Sequence, residues 1–175
     1  MKTSLKLFAL GLVLVGFGAK ANAQQVGTVN GTGSATIVQP ITIAVVAGNG
    51  GLMKFGNIAV DATTGGTVLL AAADASRTPG GEVTLPAVTG DVQTASFTIT
   101  GVEDYAYSLT LPDDTDVVLE GAGDDMPVTS FTQDGSTGVL VGGTETITVG
   151  ATLNVNGGQT VGAYSGSFTI TVQYE

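Results

Sequence analysis

The sequence predicts an all-β sandwich, and three observations carry that prediction. Apolar residues alternate with Thr and Ser at a period of two, the pattern of a half-buried strand. Glycine stands at 27 of 175 positions and, with Pro, interrupts nearly every window in which a helix could form. Seven or more short strands separated by turn signals favour two packed antiparallel layers. A closed barrel is the competing all-β arrangement.

The first residues read as an address. Lys2 and Lys6 precede an apolar run over 7–17, and Ala21-Asn22-Ala23 follows with small residues at both positions a signal peptidase reads. The run is too short to span a bilayer. Cleavage is expected between Ala23 and Gln24, and no cysteine is present to carry a lipid anchor. The expected organisation is a signal peptide at 1–23, a flexible N-terminal extension at 24–33 and a sandwich domain at 34–175. Export then places the protein in the periplasm, on the outer cell surface or outside the cell.

Residues 35–46 open the strand pattern, with Ile37, Ile41, Ile43 and Val45 on one face. Pro40 lies within it and marks an edge or a bulge. Residues 48–51 and 80–81 are glycine turns, and 66–72 forms the next strand. Weaker strand signals lie at 82–85, 117–119, 128–132 and 138–141. Residues 95–100 point Phe97 and Ile99 inward, and 105–111 do so with Tyr105, Tyr107, Leu109 and Leu111.

Ile147, Val149, Ala151, Leu153 and Val155 alternate with polar neighbours across 145–155. A Gly157-Gly158 turn follows, so 145–155 and 161–174 are expected to be neighbouring strands. The last strand has the cleanest alternation. Tyr164, Gly166, Phe168, Ile170, Val172 and Tyr174 take one face, while Ser165, Ser167, Thr169, Thr171, Gln173 and Glu175 take the other. All four tyrosines are expected in the core, with hydrogen-bonded rims.

Chemistry is sparse. Without His or Cys the chain has no Ser-His-Asp or Cys-His catalysis, no zinc or haem ligation through those residues and no disulfide. Lys2, Lys6 and Lys20 lie in the leader, leaving Lys54 and Arg77 against 15 acids, and both are read as isolated surface charges. So acidic a surface repels nucleic-acid phosphates and anionic headgroups. Aromatics make up 6%, too few for the girdles of an outer-membrane barrel. Acids cluster at Glu103-Asp104, at Asp113, Asp114 and Asp116, and at Asp124-Asp125. These last five are weak candidates for Ca²⁺, which takes six to eight oxygens. No EF-hand spacing is present, so solvated acidic turns are expected, with no metal and no cofactor.

Several phrases also carry a family likeness. The runs Leu52-Met53-Lys54-Phe55-Gly56-Asn57-Ile58 and Ala95-Ser96-Phe97-Thr98-Ile99-Thr100-Gly101, with 149–155 and 162–174, resemble a bacterial exported family catalogued as domain of unknown function 4402. The final strand is also similar to those of spore coat protein U and chaperone–usher pilus subunits. That likeness implies an immunoglobulin-like antiparallel β-sandwich completed by a donor strand. It further implies partners in copies of the same chain and in a periplasmic chaperone and usher.

By that likeness the assembly edge comprises Tyr164, Phe168, Ile170, Val172 and Tyr174, and the donor is 24–33. Val26 and Val29, however, fall on opposite faces of a strand, and 35–45 has the better pattern. The expected function is therefore that of a non-enzymatic secreted structural protein: a cell-surface, pilus-like or coat subunit assembling by β-strand addition. The alternative is a monomeric periplasmic or extracellular binding module for glycan or calcium.

Overall fold

Thr- and Val-rich stretches separated by glycines form thirteen short strands in a computed structural model, which describes residues 27–48 and 50–175. The chain divides into two units, Met1–Thr36 and Ile37–Glu175. In the first unit the described residues, 27–36, are exposed and form no regular element. The leader and the Ala23/Gln24 cleavage position lie outside the described residues.

The second unit runs through β1 (Thr42–Val45), β2 (Lys54–Phe55), β3 (Ala59–Val60), β4 (Gly66–Leu70), β5 (Arg77–Gly81), β6 (Val83–Thr84) and β7 (Val92–Gln93). It continues with β8 (Ala95–Thr100), β9 (Tyr107–Thr110), β10 (Val118–Leu119), β11 (Met126–Asp134), β12 (Thr144–Val155) and β13 (Thr171–Tyr174). A short 3₁₀ turn at Val141–Gly143 precedes β12.

The main sheet has the order β1-β8-β12-β11-β10, with β4 beside β12 and β5 beside β4. Two-stranded ladders β9–β13, β2–β7 and β3–β6 complete an antiparallel all-β fold of sandwich type.

The longest strand organises the rest. The first half of β12 pairs with β8, from Thr144↔Thr100 to Val149↔Ala95, and its second half pairs with β4, from Ala151↔Leu70 to Val155↔Gly66. The change of partner falls at Gly150, where a Cβ would stand 2.2 Å from the Leu70 carbonyl oxygen. Only a residue without a side chain permits that approach. On the opposite edge, β11 slips register between Thr129 and Thr132, with Ser130 at φ 51°. Such a bulge bends its strand, and Asp114 Oδ1 holds it by accepting the Ser130 N–H at 2.5 Å.

Alternation buries one face of each long strand. Val68, Leu70, Val128, Leu153 and Val155 anchor one apolar cluster, and Ile99, Tyr107, Leu140, Ile147 and Val149 anchor the other. Met53, Phe131 and Phe168 pack against both. Each fully buried aliphatic side chain contributes about 1.5–3 kcal/mol, so without a disulfide these two clusters are the main source of stability.

Several expectations are corrected. Strand 35–46 shrinks to β1: Pro40 has no N–H to pair, and Ile37 is 98% exposed. β1 pairs β8 alone and is an edge strand, as Pro40 suggested. Residues 80–81 are not a turn but the end of β5, opposite Gly66 and Thr67. Residues 138–141 hold only a bridge, Ala106↔Val139. The expected pairing of 145–155 with the C-terminal segment does not form. Both edges of β12 are already taken, by β11 on one side and by β8 and β4 on the other, and β13 pairs β9 instead. Tyr105 is 42% exposed, with its ring against Tyr174, whereas Tyr107 is buried.

Candidate functional site

The C-terminal segment keeps its predicted alternation but not its predicted pairing. Tyr164, Phe168, Ile170, Val172 and Tyr174 are all half-buried, while Ser165, Ser167, Thr169, Thr171, Gln173 and Glu175 are exposed. Ser165 bridges Glu120, and 171–174 pair with β9. Between them, residues 166–170 join no β-ladder among the described residues.

Three side chains fix the course of this segment. The Tyr174 hydroxyl accepts the Val102 N–H at 2.7 Å and donates to the Gln39 carbonyl at 3.0 Å. It thereby clasps the end of β13 to the entry of β1. Phe168 wedges between Phe97 and Phe131, with ring centroids 6.3 and 5.7 Å away. Tyr164 lies against Gly121 and Gly123, too close for a side chain on either, and donates its hydroxyl to the Thr160 carbonyl at 2.8 Å.

An apolar groove of about 850 Å³ has residues 52–60 and 159–166 as its walls. Its floor is Phe55, Leu119, Met126, Leu153 and Val155. A second hollow of about 320 Å³ reaches Val45, Phe97, Phe131 and Phe168. The two share Leu52, Met53, Phe55, Leu119 and Gly166, so they form one continuous trough. Among the described residues β1 and β13 each have a single ladder partner, β8 and β9.

The wall at 52–60 is held from behind. β2 pairs β7, β3 pairs β6, and Asn57 N–H donates to the Thr89 carbonyl at 2.7 Å. Arg77 Nη1 donates to the carbonyls of Phe55 and Asn57 at 2.8 and 3.0 Å. The expectation of an isolated surface arginine is thus corrected: a half-buried guanidinium saturates two main-chain acceptors around Gly56, which sits at φ +70°. Lys54 does lie at the surface, 3.1 Å from Asp91.

Other groups do not converge. Asp113, Asp114 and Asp116 lie between β9 and β10, and Asp124 and Asp125 between β10 and β11. Among the described residues no group of three or more carboxylates is placed to hold a metal ion. Asp113 N–H bonds the Asp116 carboxylate, and Asp114 holds the β11 bulge.

Tyr107 is different. Its ring is buried, and its hydroxyl donates to Glu145 beside Ser136. Burial, then the Glu145 carboxylate, raises its pKa above the usual phenol value. This network closes the 134–139 loop against β12, away from the trough, since Glu145 also accepts the Thr137 N–H. No helix of the described residues is long and apolar enough to cross a membrane.

Sequence reasoning missed the wall at 52–60 and the floor residues Leu119 and Met126. A signal was present for the first: the Leu52–Ile58 run was a family block whose apolar side chains had no strand assignment.

Fold and site define an antiparallel all-β protein of sandwich type with an open apolar trough beside its C-terminal segment. The chain belongs to the family described as a domain of unknown function (DUF4402), whose model matches residues 41–174. No curated protein and no solved structure matches it.

Proposed function

We propose that this chain is an exported, non-enzymatic structural subunit of a surface, pilus-like or coat assembly, and that copies join by β-strand addition. The observation that carries the reading is the trough between 52–60 and 159–168, with unladdered backbone at 166–168 along it. An added strand there covers half-buried Tyr164 and Phe168. Composition supports the reading: with no His, Cys or Trp, the chain offers surface before it offers reactive groups. The apolar run and the Ala21-Asn22-Ala23 site at the N-terminus support export.

The test is the mass of the purified chain across concentration, by light scattering and negative-stain microscopy. Concentration-dependent oligomers support the reading, and so does a chaperone that keeps the chain soluble in a one-to-one complex. A chain that stays monomeric at high concentration and binds no periplasmic chaperone contradicts it. In that event the larger part of the trough, about 850 Å³ and so within the roughly 300–1,000 Å³ of small-ligand sites, favours the glycan-binding alternative.

A further inference from the structure

We propose that Tyr105 and Tyr174 form a site of oxidative cross-linking, where a peroxidase with hydrogen peroxide joins the two rings of one chain as a dityrosine. The inference goes beyond the assembly reading and does not depend on it.

One-electron oxidants find few targets in this chain. It has no Cys, Trp or His, which leaves its four tyrosines as the groups that give up a single electron. Coupling then needs a second phenol within reach, and one pair meets that need. The Tyr105 and Tyr174 rings lie with centroids 5.5 Å apart at an interplanar angle of 66°, an edge-to-face contact. Tyr107 is buried, with its hydroxyl on Glu145 and Ser136. Tyr164 lies against Gly121 and Gly123 and bonds the Thr160 carbonyl. The other ring contacts among the described residues, Phe97 with Phe168 and Phe131 with Phe168, hold no phenol.

Access selects the same pair. Tyr105 is 42% exposed, the most open of the four tyrosines, so an oxidant in water meets it first. Tyr174 is half-buried, and its hydroxyl is fixed between the Val102 N–H and the Gln39 carbonyl. An exposed ring that turns about its side-chain torsions therefore faces a partner held in place.

The chemistry balances with one peroxide. Each phenol loses an electron and its hydroxyl proton, and the two phenoxyl radicals form one carbon–carbon bond between ring positions ortho to oxygen. The hydrogens displaced from those carbons return to the phenolic oxygens as the rings regain aromaticity. The two electrons and two protons released reduce one hydrogen peroxide to two waters. The new bond ties the end of β13 to the loop before β9, closing a loop of about 70 residues, and long loops are those in which a cross-link most restricts the unfolded chain. In a chain without cysteine, this pair supplies the covalent staple that a disulfide supplies elsewhere.

The experiment treats the full chain, in dilute solution, with a haem peroxidase and hydrogen peroxide. The proposal expects a monomer band on a denaturing gel that carries dityrosine fluorescence, an intact mass lower by two hydrogen atoms, and a cross-linked peptide joining Tyr105 to Tyr174. The melting temperature should rise by about 5 °C or more. Tyr105→Phe should lower the monomer fluorescence tenfold or more, and Tyr164→Phe should leave it unchanged.

Monomer fluorescence that survives in Tyr105→Phe overturns the assignment, and so does fluorescence confined to dimers and larger species. A monomer that gains oxygen at Met53 or Met126 and loses no hydrogen, while N-acetyltyrosine in the same reaction couples, overturns it as well. None of these failures touches the assembly reading, which is tested by mass without oxidant.

Discussion

Replacing Tyr174 by Phe removes one oxygen atom from the clasp between the end of β13 and the entry of β1. The hydroxyl accepts the Val102 N–H at 2.7 Å and donates to the Gln39 carbonyl at 3.0 Å, across 72 and 135 residues of sequence. The phenyl ring keeps its place against Tyr105, 5.5 Å away. Leaving the part-buried Val102 N–H without its acceptor costs about 1–3 kcal/mol, whereas the exposed Gln39 carbonyl turns to water at a cost near 0.5 kcal/mol. The net loss is about 1.5–3.5 kcal/mol. For a domain of this size, each kcal/mol lowers the melting temperature by about 2–4 °C, so a fall of about 3–14 °C is expected. Thermal unfolding followed by circular dichroism reads the fall, and amide exchange at Val102 locates it. A shift below 1 °C with Val102 exchange unchanged refutes the clasp.

Other outcomes follow from the same contacts. Gly150→Val forces a Cβ against the Leu70 carbonyl and should cost about 1–3 kcal/mol in urea unfolding; a neutral result would mean β12 does not change partners there. Arg77→Lys loses the paired donation to Phe55 and Asn57 and should cost about 1–3 kcal/mol, with faster exchange at 54–57. Tyr107 keeps its proton to higher pH folded than unfolded, so its contribution is whole below about pH 10 and declines above it. Tyr107→Phe should flatten that alkaline decline in melting temperature. Asp61 and Asp74 have lowered pKa values, set chiefly by hydrogen bonds from Thr63 and from Ser76. Their contribution is present above the ordinary carboxylate range and is lost as pH falls below it; Asp61→Asn with Asp74→Asn should weaken that acid dependence.

Much of the fold was legible because burial and alternation are local. The runs at 95–100 and 145–155 formed strands nearly where expected, and the alternation from Tyr164 to Tyr174 survives as half-buried against exposed side chains. Pairing is not local. Nothing in 145–155 announces that Gly150 divides it between two partners, which consumes the edge that 161–174 was expected to use. Arg77 was misjudged because its acceptors are carbonyls more than 19 residues earlier, and a carbonyl leaves no mark in a sequence. Of the expected C-terminal edge, Tyr164 and Phe168 line the trough, while Ile170, Val172 and Tyr174 do not. The facing wall at 52–60 was not legible, because β2 and β3 are two residues each, too short to show a period.

Amide hydrogen exchange on the dilute, monomeric chain tests the open trough most directly. Residues 166–170 should exchange as fast as a loop, while β12 in the same molecule stays protected to the limit of global unfolding. Protection at 166–170 equal to that of β12 would mean that these residues already have a strand beside them, leaving no place for another.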